Sequence, residues 1–230
     1  MAGGDIEDER PHKLKDVVIN YCISNVSTFC DVDEDGKPVK VREDAYLPSV
    51  ICDRMLSTLS EQGAATDEIV KVFCDPNKTK LERVNLSQAP ITNASIMHLS
   101  CHKLVELDVS NCSYLTEDCL HDLLTQKNLQ VLNISGCSSI LQKYGFPLFD
   151  FPLAKLRSLN IGFIELSATQ LHLLLQHLPR LTSVDLSKVI KNGDLSCLNG
   201  AKDNLRSLVL HDCTLIPGSL DFVCNFIALR

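Results

Sequence analysis

The chain has no run of lysine or arginine, no stretch approaching 18 consecutive apolar residues and no C-x-x-C pair. Each absence closes off a class of function. With a net charge of −7 and no interleaving of basic and aromatic residues, nucleic acid is not an expected partner. Without a long apolar run, no membrane span is expected. The first ten residues, MAGGDIEDER, are polar and acidic and lack the apolar core of a secretory signal. Eleven cysteines in such a chain point to a reducing compartment, cytoplasmic or also nuclear, where they stay free thiols. The seven histidines form no H-E-x-x-H and join no C-x-x-C set, and the adjacent Cys101 and His102 point apart on any regular backbone. No nucleophile–base set and no phosphate loop is present. The expectation is a non-enzymatic chain with no metal and no cofactor.

What is there is a repeat. The phrases Leu81-x-x-Val84-x-Leu86, Leu104-x-x-Leu107-x-Val109, Leu129-x-x-Leu132-x-Ile134, Leu156-x-x-Leu159-x-Ile161, Leu181-x-x-Val184-x-Leu186 and Leu205-x-x-Leu208-x-Leu210 follow one another. Their first leucines advance by 23, 25, 27, 25 and 24 residues, inside the leucine-rich-repeat range of about 20–29. In three repeats a cysteine stands three positions past the last apolar residue (Cys112, Cys137, Cys213), where a small thiol packs beneath the turn after the strand. The fold class read from this is α/β, a leucine-rich-repeat solenoid over 79–230 with six repeats. Each phrase predicts a short strand on the concave face, and the segment after it a return along the convex face. Ser167-x-x-Gln170 has the form of a capping box before the apolar run Leu171–Leu178, and Thr116 can cap a helix over Glu117–Leu124. The 27-residue third repeat carries Gly145, Pro147 and Pro152 in an expected looped insertion over Leu141–Leu153. Ile227–Arg230 reads as the opening of a seventh repeat, since Leu229 lies 24 residues past Leu205. A solenoid needs a polar-faced cap, so the expectation is a fragment or truncated product.

Before the repeats, residues 1–10 are expected to form a disordered tail and 11–78 a helical module. Proline suits the first turn of a helix from Pro11, and Leu14, Val17, Val18, Tyr21, Cys22 and Val26 form one apolar stripe. Asp31–Lys40 predicts a charged hairpin turn with Asp35-Gly36 at its tip. A second helix is predicted from Pro48 to near Gly63, with Ile51, Cys52, Met55, Leu56 and Leu59 on one face, and a short third helix after Thr66.

Two short patterns in this module carry a functional reading. Leu14-x-x-x-Val18-x-x-x-Cys22 has the spacing of a BC box, the helix that docks on elongin C, with all three residues on one helical face. Leu47-Pro48-x-x-Ile51 has the form of a cullin-2 box, in which proline starts the helix and Leu47 and Ile51 are the expected contact pair. About 25 residues separate the two boxes, the order and spacing of VHL-box proteins. With the repeats that follow, the arrangement resembles the Zyg-eleven homolog family, on the side of its Zer-one branch. Tyr46–Leu56 (YLPSVICDRML) and Lys103–Asp108 (KLVELD) are the segments that carry the likeness most clearly. The resemblance implies a substrate receptor of a cullin-2 RING ubiquitin ligase. Elongin C with elongin B would bind at Leu14, Val18 and Cys22, and cullin-2 at Leu47, Pro48 and Ile51. It also implies protein substrates, those of the family bearing an exposed N-terminal glycine held by armadillo-like repeats beyond the leucine-rich region. Lys13 and Val18 depart from the family pattern, which has a small or hydroxylated residue before the leucine and Cys, Ser or Ala at the middle position.

Two other readings fit parts of the chain. Leu47-Pro48 before an apolar helix also suits an F-box and a cullin-1 ligase, although the helix from Pro11 precedes it and only about 30 residues intervene before the first repeat. A plain leucine-rich-repeat scaffold would use the same helices as the cap that a solenoid needs. Exposure separates the cap from a docking box. A cap buries Leu14 and Val18, whereas a docking box leaves them at the surface.

Overall fold

The computed structural model describes residues 17–229 apart from 19–20, 23, 120–121, 124, 142–152, 177 and 227. The expected tail over 1–10, the helix start at Pro11 with Leu14, and nearly all of the expected insertion lie outside the described residues. So do Ile227 and Arg230 of the expected seventh repeat.

Residues 17, 18, 21, 22 and 24 are helical, followed by a 3-10 turn over Val26–Thr28. The apolar stripe of this helix does not enter the core as a whole: Val17, Val18 and Tyr21 are exposed and Cys22 is buried. Strands β1 (Cys30–Val32) and β2 (Pro38–Val41) then form an antiparallel hairpin. Its turn is held by Asp33, whose Oδ1 accepts from the N–H groups of Asp35 (3.0 Å) and Lys37 (2.8 Å). Helix α1 (Ser49–Glu61) starts directly after Pro48, as a ring with fixed φ and no N–H favours. It ends before Gly63, which takes φ +68°. Its inner face of Cys52, Met55 and Leu56 is buried. The short α2 (Asp67–Val72) follows, with Thr66 at its N-cap.

The repeats form one six-stranded parallel sheet in the order β3 (Arg83–Asn85), β4 (Glu106–Asp108), β5 (Val131–Asn133), β6 (Ser158–Asn160), β7 (Ser183–Asp185) and β9 (Ser207–Val209). Each strand is centred on the second apolar residue of its phrase, and these pair in register from Val84 through Leu107, Leu132, Leu159 and Val184 to Leu208. The period of two turns the flanking residues outward, so each strand from β3 to β7 buries one side chain and presents two. The first leucine of each phrase is at most 1% exposed in all six repeats. Each such burial contributes about 1.5–3 kcal/mol, and successive repeats cover one another. Leu208 and Leu210 of the last phrase are only partly buried, because β9 is the edge of the sheet.

A second ladder runs beside the strands. Gln88, Asn111, Gly136, Phe163, Lys188 and Asp212 occupy the same place in successive repeats and all adopt positive φ, between 54° and 73°. The N–H of each of the first five donates to the carbonyl of the residue before its counterpart in the next repeat, as Gln88 does to Ser110 (2.8 Å). The recurring geometry is tied down from within by side chains. Asn85, Asp108, Asn133, Asn160 and Asp185 each accept at Oδ1 from the N–H two residues on. The repeat cysteines sit where the sequence placed them. Cys112, Cys137 and Cys213 donate from Sγ to the carbonyls of Leu86 (3.1 Å), Val109 (3.0 Å) and Leu186 (3.0 Å) of the preceding repeat.

Only one residue of this ladder is glycine, and it has a second reason to be so. A Cβ at Gly136 would lie 2.2 Å from Asn111 Oδ1. Gly136→Ala therefore combines left-handed strain with a clash and is expected to cost about 1–3 kcal/mol. A thermal melt of the variant checks this, and an unchanged Tm would show that Asn111 yields freely.

The convex side is less regular. Helix α3 (Asn93–Leu99) backs the first repeat and α4 (Ala168–Gln176) the fourth. The capping box forms as the sequence implies: Gln170 N–H donates to Ser167 Oγ (3.2 Å), and Ser167 N–H to Gln170 Oε1 (2.9 Å). Over Glu117–Leu124, however, the described residues give a 3-10 turn at Glu117–Cys119 and helical positions at 122 and 123. In the fifth and sixth repeats the return begins with an extended segment. Strand β8 (Lys191–Gly193) pairs in parallel with β10 (Thr214–Leu215), and a 3-10 turn follows at Ser196–Ala201. Helix α5 (Ser219–Val223) backs the sixth repeat. Leu141 and Leu153, at the two ends of the expected insertion, are both buried.

Candidate functional site

The two motif segments fare differently once folded. Val18 is 44% exposed and has Val17 (52%) and Tyr21 (58%) beside it on the same helix. Cys22 is buried, although it is not among the residues of the continuous core of the hairpin, α1, α2 and the repeats. Burial pushes its thiol pKa up, so it serves as an apolar spacer and not as a nucleophile. Leu14 lies outside the described residues.

Around the second box, Leu47 is a core residue at 1% exposure. Its N–H donates to the Lys78 carbonyl (2.8 Å), and its own carbonyl accepts from Lys80 N–H (3.1 Å) and from Cys52 Sγ (3.2 Å). This bridge ties the start of α1 to the entry of the first repeat. Leu47 is thus turned away from any partner, against the expectation that it forms a contact pair with Ile51. Ile51 is half-buried against the core, and Pro48 is exposed at the head of α1. The apolar side chains open to solvent here are Tyr46 (56%) and Val50 (43%), either side of Pro48, with exposed Arg54 one turn further on. Sequence reasoning passed over Tyr46 and Val50. Their signal was Val50's place on the opposite side of α1 from Cys52, Met55 and Leu56, and Tyr46's place before Pro48, outside the helix.

Two carboxylates that the sequence did not single out fasten the module to the repeats. Asp53 on α1 accepts from Glu82 N–H (3.0 Å) at the start of β3. Burial pushes its carboxyl up to about 6, against the lowering effect of the Glu82 and Arg83 N–H bonds. Asp67 at the head of α2 accepts from Thr92 N–H (2.9 Å), Thr92 Oγ1 (2.7 Å) and Ser95 Oγ. Burial acts to raise its pKa, but these bonds outweigh it and the carboxyl sits below its usual range.

The polar chemistry elsewhere is structural. Burial pushes the Cys52, Cys112 and Cys119 thiols up to about 12, so they remain protonated and inert. His102 is buried with Nε2 2.6 Å from the Phe73 carbonyl, and burial lowers its pKa, so it is neutral and donates there. Cys101, next to it, instead donates to the Cys74 (2.6 Å) and His98 (3.0 Å) carbonyls. Among the described residues no cluster of three His, Cys, Asp or Glu side chains could hold a metal ion. No described helix is long and apolar enough to cross a membrane.

Comparison with known proteins agrees with this layout. A family model described as Zer-1-like, leucine-rich repeats, matches residues 172–230. The chain is 26% identical over 248 aligned residues to the protein zer-1 homologs of Mus musculus and Homo sapiens, covering 96% of this chain and 32% of each of them. It is 28% identical over 231 residues to the Drosophila melanogaster protein zer-1 homolog, covering 97% of this chain and 28% of that one. The chain therefore spans about a third of the length of these relatives. The likeness read from the sequence motifs and the likeness over the whole chain point the same way: this chain resembles the protein zer-1 homologs and, over residues 172–230, Zer-1-like leucine-rich repeats.

Proposed function

We propose that this chain is the ligase-docking part of a substrate receptor for an elongin B/C–cullin-2 RING ubiquitin ligase, working in the cytoplasm or nucleus. It would carry no catalytic group of its own. The N-terminal helix would dock on elongin C through Leu14 and Val18, with Cys22 setting the helix against the module. The head of α1 would meet cullin-2 through Tyr46, Pro48 and Val50. The solenoid would be a rigid arm between the ligase and a protein substrate, whose capture, by analogy with the family, would need more than the leucine-rich repeats. The observation that carries the reading is the exposure of Val17, Val18 and Tyr21 along one short helix. An N-terminal cap would turn these side chains onto the first repeat, whereas a docking helix holds them in water until a partner covers them. The scaffold reading has one observation in its favour, the burial of Leu47 at the second box.

The test is Val18→Asp. The side chain is already solvated in the free chain, so stability is expected to stay within about 0.5 kcal/mol. A carboxylate carried into an apolar pocket costs several kcal/mol, so elongin B/C binding by titration calorimetry is expected to fall at least about a hundredfold. Unaltered binding by the variant, or none by the parent chain, would refute the BC-box assignment and leave the scaffold reading.

A further inference from the structure

The repeat places a cation at the same edge of the solenoid in turn after turn. The residues just before and just after the first leucine of each phrase lie at the strand N-terminal edge. They stack from one repeat to the next. Val105 N–H donates to Glu82 O, Gln130 to Val105, Arg157 to Gln130, Thr182 to Arg157 and Arg206 to Thr182. On the other side of the leucine the same alignment is seen in side chains, where Lys155 Nζ donates to Asn128 Oδ1 (2.6 Å) and Asn204 Nδ2 to Pro179 O (3.2 Å). Along this edge stand Lys103, Lys155, Arg157, Arg180 and Arg206, with Lys127 one residue further back beside Asn128, all exposed. Among the described residues none of the six is in an ion pair. The acidic side chains on the edge are Glu82, paired with Lys80 (2.7 Å), and Asp203.

We propose that this basic edge is a docking surface for an acidic, extended segment of a partner protein. The charge separation is what argues for it. A chain of net charge −7 has gathered six cations on one line, and such a line focuses potential for an anionic ligand. Strands lie about 4.8 Å apart, so the second to sixth repeats span about 19 Å, the reach of about six extended residues. The side chains between the cations are Val105, Asn128, Gln130, Thr182 and Asn204. No aromatic platform is among them, and stacking platforms are what a single-stranded nucleic acid would need. The surface lies on the repeats and is independent of elongin docking.

The probe is a fluorescein-labelled ten-residue polyglutamate peptide, followed by anisotropy with the whole chain at about 50 and 200 mM salt. Binding that weakens at the higher salt is expected. The variant Lys103→Glu/Lys155→Glu/Arg180→Glu/Arg206→Glu is expected to bind at least about tenfold more weakly. A control of equal net charge, Lys37→Glu/Lys40→Glu/Arg54→Glu/Lys71→Glu, should retain most of the affinity. Should the first variant misfold by circular dichroism, the matching alanine set replaces it with the same expected direction. No binding by the parent chain, equal loss in both charge variants, or tighter binding of a labelled ten-nucleotide oligothymidine than of the peptide would each overturn the proposal.

Discussion

Leu47→Ala is expected to lower the stability of the chain by about 2–5 kcal/mol, the range for truncating a large aliphatic side chain in a filled core. It is also expected to weaken elongin and cullin-2 association together. The side chain is 1% exposed, and the backbone on either side of it is the bridge to Lys78 and Lys80 that sets the first repeat against α1. A cavity there loosens the whole module, so no single contact is removed. Tyr46→Asp and Val50→Asp are the contrasting pair. Both positions are exposed, and surface changes stay within about 0.5 kcal/mol, so these variants should keep elongin and lose cullin-2. Urea denaturation together with co-purification of each partner reads both outcomes. If Leu47→Ala unfolded at the parent midpoint and lost cullin-2 alone, Leu47 would be reaching the partner, and the assignment of the contact to Tyr46 and Val50 would be wrong.

The solenoid was legible because its signal is redundant. Six phrases in phase leave one register in which the central residues from Val84 to Val184 are buried and Leu208 is partly covered at the sheet edge. The sites of Cys112, Cys137 and Cys213 follow from the same period. The hairpin tip at Asp35-Gly36, the stop near Gly63 and the Ser167 capping box were legible for a local reason, since each is decided by residues within one turn of itself. Burial at the second box was not. A leucine before a proline has the same pattern whether it enters its own core or a partner's pocket, and only the pairing of Leu47 with the chain around Thr79 decides between them. The form of each convex return is less evident in the sequence: helix α4 follows the fourth phrase, whereas 3-10 turns stand at Glu117–Cys119 and Ser196–Ala201. Gln126 is hidden in another way. It is a buried amide whose Oε1 accepts from Leu104 N–H (3.1 Å) across 22 residues, and nothing in its neighbours announces it. The basic edge escaped notice because its members are about 25 residues apart, so a search for charged runs passes over them.

Asp53→Asn is expected to make the chain more stable at neutral pH, by up to about 3 kcal/mol. In the folded chain burial holds this carboxyl at about 6, while in the unfolded chain it ionises near 3.9. Between those values the folded state keeps a proton that the unfolded state has released. Stability from this group is therefore fully present below about pH 4 and is lost as pH rises through 6, at about 1.4 kcal/mol for each pH step between the two values. Asparagine keeps an oxygen to accept the Glu82 N–H and has no charge to desolvate. Parent and variant are expected to match near pH 4 and to diverge up to about pH 7, with the variant ahead. The paired chains are needed because Asp67 runs the other way. Its lowered pKa adds stability above its unfolded value and withdraws it in acid, so the parent's own pH profile mixes the two. Urea midpoints for both chains at several pH values between about 4 and 7.5 isolate the Asp53 part. A gap that stayed constant across that range would mean that the carboxyl does not titrate there. A variant less stable at every pH would mean that the charged carboxylate is needed to hold the Glu82 N–H. Asp53 joins α1 to the first strand, so with the expected divergence its protonation sets how firmly the proposed cullin-facing helix is held to the solenoid.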